Sequence, residues 1–297
     1  MFSVGLAYQF DPERVALALS ADERTRLRSV TPEMSRKENE NATKVAHYLM
    51  KALLQAGSFE GPLSEYLKQT PEANGVPPPP LELPFDKTKP TLDLPKPEEL
   101  RVKPVDLRYA IENRRSIRSY SAEELSLEEL SWLLWCTQGV KELRKDRPVT
   151  LRTVPSGGSR HPFETYLLLN RVKGITPGLY RFLALEHRLL QMRTGLGLSE
   201  EIAHACGCQQ FIENSAAVFL WSFVPMRSSW RFGAKAYKVL LEVGHVCQNL
   251  YLGAEAVDCG ACAIAAYDLE EVHRILDIQD DDQYIVYVAT VGKKITS

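Results

Sequence analysis

The sequence has no long apolar run, no excess of charge of either sign and few cysteines for its length. No stretch of about 18 apolar residues occurs in the 297-residue chain, so no transmembrane helix is expected. The first residues, MFSVGLAYQFDPERV, lack the basic and apolar segments of a secretory signal, which favours a cytoplasmic location. The formal net charge of −2 predicts no nucleic-acid partner, because phosphate-backbone binding requires a broad excess of lysine and arginine.

The six cysteines are too few for a dense disulfide framework in a chain of this length, and a cytoplasm would keep them reduced. Two pairs are close in sequence, Cys206 with Cys208 and Cys259 with Cys262. These pairs allow a four-cysteine zinc site, a redox-active C-x-x-C or buried apolar thiols. We expect buried thiols and no metal.

Proline is concentrated in one tract, since nine of the 18 prolines lie between Pro77 and Pro104. Such a tract favours extended chain without ladder hydrogen bonds, which is typical of a linker or a surface strap. It divides the chain into a small helical N-terminal region (1–76), a proline-rich linker (77–104) and a body (105–297). Asp11-Pro12 and Thr31-Pro32 each predict a helix start in the first region.

The body mixes helices and strands without a regular βαβ rhythm. Ser126 with Glu129 predicts a capped helix that ends near Gly139, and Asp268 with Glu271 predicts another over about 269–276. A long helix is predicted over about 234–257. Strands are predicted at 165–170, 178–182, 187–192, 216–223 and 284–292. This order indicates an α+β fold with a mostly antiparallel sheet flanked by helices.

One short segment after the proline tract is rich in cations and hydroxyls. NRRSIRSYS places Arg114, Arg115, Ser116 and Arg118 within one or two turns of chain. Guanidinium groups match phosphate oxygens in a bidentate manner, so this segment is a candidate phosphate clamp. The alternative is a solvated basic end of a helix.

A second segment, VPSGGSRHP, places two glycines between serines immediately before an apolar strand. Glycine allows the backbone to approach a flat ligand closely, and serine can hydrogen-bond it. The alternative is a turn without a binding role. The segment is not a nucleophile elbow, because it lacks G-x-S-x-G, and GLG at 195–197 is not a dinucleotide-binding fingerprint.

Five segments in order resemble the nitroreductase-fold FMN proteins, and specifically their SagB-type dehydrogenase branch. They are RRSIRSYSAEELSLEELSWLLWCTQGV, PSGGSRHPFETYLLL, PGLYRF, LLEVGHVCQNLYLGAEAV and a terminal VGKK. The resemblance spans about Val105 to Lys294. It implies a nitroreductase-like fold, bound FMN and an intertwined homodimer with the flavin at the interface.

The resemblance also assigns cofactor-binding roles. Arg114, Arg115 and Ser116 match positions at the FMN phosphate and ribityl end, and Arg118 matches one nearer the pyrimidine ring. The segment that would line the flavin from the other subunit consists of Pro155, Ser156, Gly157 and Gly158. The small residues from Ala261 to Ala266 match a loop whose backbone faces the flavin, and those assigned to the cofactor are Ala263, Ile264 and Ala265. Lys293 or Lys294 matches a closing phosphate contact.

Arg231-Phe232 is the place where the chain departs from its relatives. Azoline dehydrogenases of the branch carry a catalytic Lys-Tyr pair there, so Arg231 occupies the candidate catalytic position. Neither residue can accept a proton at a working pH, which puts azoline oxidation in doubt. Lys235, Tyr237 and Lys238 are possible replacements, although exposed helix charges are the commoner explanation. We interpret Glu242 and His245 on the long helix as packing or interface groups.

Two functions follow from these observations. The first is an FMN-dependent oxidoreductase that acts on a small molecule or peptide, with NAD(P)H as a possible electron donor. The second is a non-catalytic flavin-binding protein or a scaffold component of a peptide-modifying complex. The absence of the Lys-Tyr pair motivates the second function.

Overall fold

A seven-stranded sheet organises the residues that the structure describes, which are 62–144, 149–278 and 282–295 of this computed structural model. The strand order is β1-β6-β5-β4-β7-β9-β8, and every neighbouring pair is antiparallel. The strands are β1 (Thr91–Asp93), β4 (Phe163–Leu169), β5 (Gly178–Leu183), β6 (Arg188–Thr194), β7 (Ala217–Phe223), β8 (Cys259–Ile264) and β9 (Tyr284–Lys293). A separate pair consists of β2 (Val140–Arg144) and β3 (Val149–Arg152).

Short helices connect and cover these strands. The α-helices are α1 (Leu63–Leu67), α2 (Leu107–Asn113), α3 (Leu127–Gln138), α4 (Leu198–Ala205), α5 (Pro225–Phe232), α6 (Glu242–Glu255) and α7 (Leu269–Leu276). Turns of 3-10 helix occupy Pro97–Glu99, Gly157–Ser159, Gln210–Ile212 and Gly233–Leu241. In the described part of the chain, no helix has both the length and the apolar character needed to cross a membrane.

The sheet is buried on both faces, although its strands are antiparallel. In β7, Phe219 and Trp221 point into the core that contains α3 and α6, whereas Val218 and Leu220 point into the core that contains α4 and α7. This alternation is the period of two that a strand imposes on its side chains. The central strands therefore lack a polar face and lie between two helical layers.

The structure confirms the α+β class, the mostly antiparallel sheet and most of the predicted elements. Ser126 and Glu129 form the complete capping box at the start of α3, and the Asp268 side chain accepts the Glu271 N–H at the start of α7. The predicted strands agree with β4, β5, β6, β7 and β9 to within a few residues. The helix starts predicted at Asp11 and Thr31 lie outside the described residues.

The prediction of one helix over 234–257 is wrong in its first third. Gly233–Leu241 forms 3-10 helix, and the α-helix begins only at Glu242. Phe232 precedes the 3-10 segment and offers no capping side chain, whereas Glu242 places a carboxylate at the positive end of α6. The apolar spacing continues across this junction, so periodicity alone did not reveal it.

The proline-rich tract lies along the body. Its strand β1 pairs with β6 at the edge of the sheet. Farther upstream, Arg181 donates to the carbonyls of Leu83 (2.7 Å) and Pro84 (3.2 Å), and Arg227 Nε donates to the carbonyl of Pro80 (2.9 Å). We call residues 80–84 the strap. The division of the chain at 76 and 104 stays a prediction; of the described residues, those from Leu67 onward belong to one compact unit and 62–66 to another.

A buried carboxylate joins the strap to the sheet. Glu164 of β4 forms ion pairs with Arg181 and Arg227, and it accepts the backbone N–H of Leu83 at 2.8 Å. Burial alone would raise the pKa of Glu164, but the charges of Arg227 and Arg181 outweigh burial and hold it below its ordinary value. The backbone of the strap thus supplies hydrogen-bond partners to the buried charges of Glu164, Arg181 and Arg227.

Candidate functional site

The arginine-rich segment runs from the end of α2 to β8 and is fixed there by backbone hydrogen bonds. Arg114 caps the C-terminus of α2. Ser116 forms an isolated parallel bridge with Ala261 of β8, and the Ile117 N–H donates to the Ala261 carbonyl at 2.9 Å. Gly260 makes this approach possible, because a Cβ there would lie 2.5 Å from Ile117 Cγ1. The arginine segment is therefore attached to β8 at Ser116 and Ile117, although it forms no strand of its own.

Tyr251 of α6 organises the same segment from the helix layer. Its hydroxyl lies 3.0 Å from Ser116 Oγ and accepts the backbone N–H of Ala263 at 2.8 Å. The Arg114 guanidinium lies over the Tyr251 ring, 5.2 Å from its centroid. One phenol thus connects the basic segment, β8 and α6.

The three guanidinium groups remain open to an anion. Arg115 and Arg118 are exposed and Arg114 is half-buried. Within the described ranges, none of the three forms an ion pair with a carboxylate, and Arg118 lies 6.0 Å from the ring centroid of Phe211. Tyr251 belongs to the core on the α3 and α6 side and Phe211 packs against the opposite core, so Arg114 and Arg118 lie near rings on different sides of the sheet. Arg114 and Arg115, next to the Ser116 hydroxyl in the sequence, suit a phosphate dianion.

The predicted flavin-facing residues of β8 and the following loop differ in their surroundings. Ala263 is half-buried and Ala265 is exposed. Ile264 is buried in the core on the α4 and α7 side of the sheet. Its side chain therefore points away from the Tyr251 side, and only its backbone is available to a ligand there.

The two predicted closing lysines are both engaged within the chain. Lys293 donates to Glu129 and to the Val257 carbonyl at 3.0 Å, and Lys294 donates to Glu255 at 2.6 Å. Burial opposes the charge of Lys293, but its hydrogen bond and the charge of Glu129 outweigh burial and raise its pKa. The positive charge of each lysine is thus partly neutralised before any phosphate arrives.

The glycine segment forms a tight loop before β4. Pro155 is exposed, and Ser156 Oγ accepts the N–H of His161 at 2.9 Å. The Gly157 N–H donates to Oε1 of Glu242 at 2.6 Å. Gly158 has a φ of 61°, in the left-handed region that favours glycine. The loop is therefore held by α6 through a single carboxylate.

Arg231 and Phe232 pack directly against this loop. A Cβ added to Gly158 would overlap the Arg231 side chain, and the Phe232 ring lies within 3.4 Å of the Cβ position of both glycines. Arg231 Nη1 donates to both carboxylate oxygens of Glu72, at 2.7 and 2.6 Å. The structure thus brings the candidate catalytic position and the glycine loop together.

The glycine loop and the arginine segment stay separate within one chain. Among the residues that the structure describes, the two segments share no hydrogen bond or ion pair. Lys235 and Lys238, the suggested replacement bases, lie in the 3-10 helix after Phe232, where Lys235 is half-buried and Lys238 is exposed.

The cysteine pairs do not come together. Cys206 belongs to the core on the α4 and α7 side, and Cys259 belongs to the opposite core. Burial raises the pKa of both thiols to about 12, so they are protonated at neutral pH. In the described part of the chain, no group of three or more metal-ligating side chains is found.

Three polar groups of this region were not assigned by sequence reasoning. Tyr251 lies within the helix predicted over 234–257 and received no separate role, although a buried tyrosine hydroxyl usually requires a partner. Glu242 was interpreted as a packing or interface group, and it holds the glycine loop. Glu72 gave no local signal, because it meets Arg231 across 159 residues of sequence. His245 is exposed on α6.

A family model described as the nitroreductase family matches residues 111–293. A protein of Methanocaldococcus jannaschii that is described as a candidate nitroreductase is 31% identical over 209 residues, which make up 69% of this chain and 96% of the relative. The matched range contains the arginine segment, the glycine loop and β9.

Solved structures show the same fold. One described as a nitroreductase candidate from Anabaena variabilis is 26% identical with a TM-score of 0.54; the match covers 64% of this chain and only 38% of the Anabaena chain. The E. coli microcin synthetase McbBCD complex with truncated pro-MccB17 bound contains a chain that is 17% identical with a TM-score of 0.52. That match covers 89% of this chain and 99% of the other.

Proposed function

The chain belongs to the nitroreductase family, and we propose that it is an FMN-dependent oxidoreductase of the SagB-type branch. The observation that carries this proposal is the fixed position of the arginine segment. Ser116 is bound to Tyr251 and β8, while Arg114, Arg115 and Arg118 beside it carry no carboxylate partner among the described residues. A cationic segment that is attached at Ser116, and whose charge no carboxylate of the described residues neutralises, is suited to a phosphate.

The residues fit FMN better than a larger nucleotide cofactor. Arg114, Arg115 and Ser116 would hold the doubly charged phosphate, which several charge-assisted hydrogen bonds stabilise. Arg118 would lie near the pyrimidine ring, where a cation stabilises the negative charge of the reduced flavin. When bound, FMN supplies the two-electron chemistry, and the chain binds it, orients it and selects the substrate.

Lys293 and Lys294 take a different place in this proposal. Because they pair with Glu129 and Glu255, we assign them chiefly to holding the end of β9 against α3 and α6. The Lys293 carbonyl also accepts the Ser121 N–H at 3.0 Å, which fixes the chain just after the arginine segment. A contribution of either lysine to the phosphate would act at longer range.

We further propose a homodimer in which each flavin contacts both subunits. Among the described residues of one chain, the arginine segment and the glycine loop share no hydrogen bond. Pro155 to Gly158 of a second copy would therefore line the flavin held by the arginines. Large apolar side chains next to both regions are exposed, and such clusters mark interfaces. They are Leu107, Tyr109 and Ile111 on α2 and Leu241 before α6.

The proposed substrate is a small molecule or a peptide. The proposed electron donor is NAD(P)H, and the proposed location of the protein is the cytoplasm. The alternative is a non-catalytic component of a peptide-modifying complex. It is favoured by Arg231 and Phe232, which offer no proton acceptor, and by the fold that this chain shares with one chain of the microcin synthetase complex. The alternative predicts bound flavin without turnover.

Two measurements test the proposal. Acid release from the purified protein followed by chromatography should give FMN; FAD, or no flavin after reconstitution, would refute the cofactor assignment. Stopped-flow mixing with NADH or NADPH should bleach the flavin, and oxygen or a nitroaromatic should restore its absorbance. Flavin that is bound but never reduced would support the non-catalytic alternative.

A further inference from the structure

The Arg231 guanidinium already holds a carboxylate, and that carboxylate belongs to the same chain. Both oxygens of Glu72 accept from Nη1, at 2.7 and 2.6 Å. In the described residues, all hydrogen bonds of this guanidinium come from that one nitrogen, so Nε and Nη2 keep their donor capacity. Arg231, which packs beside Gly158, thus binds a carboxylate through Nη1 and has two further nitrogens that can donate hydrogen bonds.

Glu72 is presented to Arg231 by a small turn that docks on the end of α5. The Glu72 N–H donates to the Trp230 carbonyl at 2.9 Å, and Trp230 Nε1 donates to the Val76 carbonyl at 2.7 Å. Within the turn, the Val76 N–H donates to the Pro71 carbonyl at 3.0 Å. The turn is therefore held by its backbone, and its attachment does not depend on the Glu72 side chain.

The Arg231–Glu72 pair is only partly buried. The side chains are 25% and 31% exposed, respectively. Ion pairs with this degree of solvent contact contribute little to stability, because water solvates both charges once they separate. An incoming anion can therefore replace Glu72 without a large loss of folding free energy.

The charge around Arg231 favours a singly charged ligand. Glu242 contacts the same glycine loop, with Oε1 3.2 Å from the Cβ position of Gly157. Two carboxylates, Glu72 and Glu242, therefore lie near this region, and they would repel a phosphate dianion more strongly than a carboxylate. A carboxylate also reproduces the group that the arginine holds in the structure.

We propose that Arg231 selects substrates that carry a carboxylate, and that Glu72 occupies Arg231 until such a substrate arrives. The inference rests on the proposed function, because it requires the glycine loop beneath Arg231 to line a flavin. Arg231 then acts in substrate recognition rather than as a base. The neutral amide of the same substrate should bind less well.

The test compares 4-nitrobenzoate with 4-nitrobenzamide, two electron acceptors of nearly equal shape that differ in charge. The measured quantity is the ratio of their kcat/KM values in the flavin-loaded protein. Glu72→Gln should raise the benzoate-to-benzamide ratio by roughly threefold to tenfold, and Arg231→Gln should lower it by a similar factor, as expected for a partly exposed charge-assisted hydrogen bond. Arg231→Lys should keep part of the preference, because it keeps the charge.

A matched control is the surface pair of Arg193 and Glu201, whose N–O distance is 3.1 Å. Glu201→Gln changes the net charge by the same amount as Glu72→Gln, and it should leave the ratio at the wild-type value. An equal rise in both variants would show that overall charge, and not Arg231, sets the preference, which would overturn the inference.

A binding measurement separates this inference from the proposed function. Isothermal titration of the flavin-loaded proteins with benzoate and benzamide requires no turnover, and tighter benzoate binding in Glu72→Gln than in wild type is the expected result. Reduction of both nitroarenes at an unchanged ratio in Glu72→Gln and Arg231→Gln would overturn the inference and leave the proposed function standing. If neither arene is reduced but benzoate shows the expected shifts, the recognition role stands and the proposed activity fails. Should Arg231→Gln not fold, Glu72→Gln alone decides, since its turn is held by the backbone.

Discussion

The hydroxyl of Tyr251 lies 3.0 Å from that of Ser116. The same phenolic oxygen accepts the backbone N–H of Ala263, so a single atom of α6 connects the arginine segment to β8. Tyr251 is only 8% exposed, whereas Ser116 is exposed and Ala263 is half-buried. The phosphate clamp that we propose thus depends on a residue that would not itself contact the phosphate.

Replacing Tyr251 by phenylalanine should weaken both folding and flavin binding. The change leaves the N–H of the half-buried Ala263 without its partner, and loss of a typical hydrogen bond costs about 0.5–1.5 kcal/mol. Urea unfolding should show a loss of this order, and fluorescence titration should show a higher dissociation constant for FMN because Ser116 and Arg114 lose their support.

Tyr180→Phe is the control, because its hydroxyl donates to the Thr176 carbonyl at 2.6 Å in a different part of the sheet. It should lose some stability and keep wild-type affinity for FMN. If both variants lose affinity equally, Tyr251 has no special role at the site.

Removing the arginines should weaken FMN binding more than folding. Each of Arg114→Ala and Arg118→Ala removes a proposed charge-assisted hydrogen bond of about 1.5–3 kcal/mol, equivalent to roughly a tenfold or greater rise in the dissociation constant. Arg108→Ala is the matched control, since this arginine lies on α2 and pairs with Glu112, with 84% of its side chain exposed. Unchanged flavin content in the first two variants would show that the phosphate binds elsewhere.

The shared site can be tested by mixing defective subunits. In a heterodimer of an Arg114→Ala chain and a Ser156→Ala chain, one site would contain both defects and the other neither. Such a heterodimer should bind about half the wild-type amount of FMN tightly, as the shared-site geometry requires. Two equally weakened sites, or a monomer that still holds FMN in light scattering, would contradict the dimer proposal.

We predict little or no thiazoline oxidation by the wild-type protein. Loss of a carbon-bound proton requires an acceptor whose pKa lies near the working pH, and neither Arg231 nor Phe232 provides one. Mass spectrometry of a thiazoline peptide should show no loss of two hydrogens per ring, while Arg231→Lys combined with Phe232→Tyr should recover some activity. Substantial oxidation by the wild type would show that another group, such as Lys235, serves as the base.

The free energy of unfolding should decrease as the pH is lowered, and His161 is one cause. Burial first, and then the charge of Arg152, lower the pKa of His161 to about 3. The unfolded chain binds a proton near pH 6.5 and the folded protein does not, so stability is complete above pH 6.5 and is lost as the pH falls toward 3. Between pH 7 and pH 5 this residue alone should account for about 2 kcal/mol of the decrease in unfolding free energy.

His161→Asn should remove that contribution, since asparagine does not titrate in this range and tolerates the φ of 42° at this position. The difference in unfolding free energy between pH 7 and pH 5 should then be about 2 kcal/mol smaller than in the wild type. An unchanged pH dependence in His161→Asn would mean that other groups carry it.

Local chemistry in the sequence was sufficient to predict much of the fold. The capping box at Ser126 and the N-cap at Asp268 depend on neighbours three residues away, and the strands depend on alternation over a few residues. The junction at Leu241 was not predictable in this way, because an apolar spacing of three to four fits both a 3-10 helix and an α-helix.

The candidate site was predictable only in part, and for the same reason. Clustered arginines and paired glycines are visible in the sequence because they are contiguous. The contacts of Tyr251, Glu242 and Glu72 join segments between 12 and 159 residues apart, and only the folded sheet brings them together. The ion pairs of Lys293 and Lys294 were likewise hidden, since their partners lie on two different helices.

The strap has a practical consequence for anyone who shortens this chain. The range that matches the family begins at residue 111, yet Arg181 and Arg227 donate to carbonyls at Leu83 and Pro80, and Glu164 accepts from the Leu83 N–H. A protein started at residue 105 would keep the ion pairs of Glu164 but lose these backbone partners, and each lost hydrogen bond to a charged group costs about 1.5–3 kcal/mol. Poor expression of such a fragment would report on the missing strap and not on the flavin site.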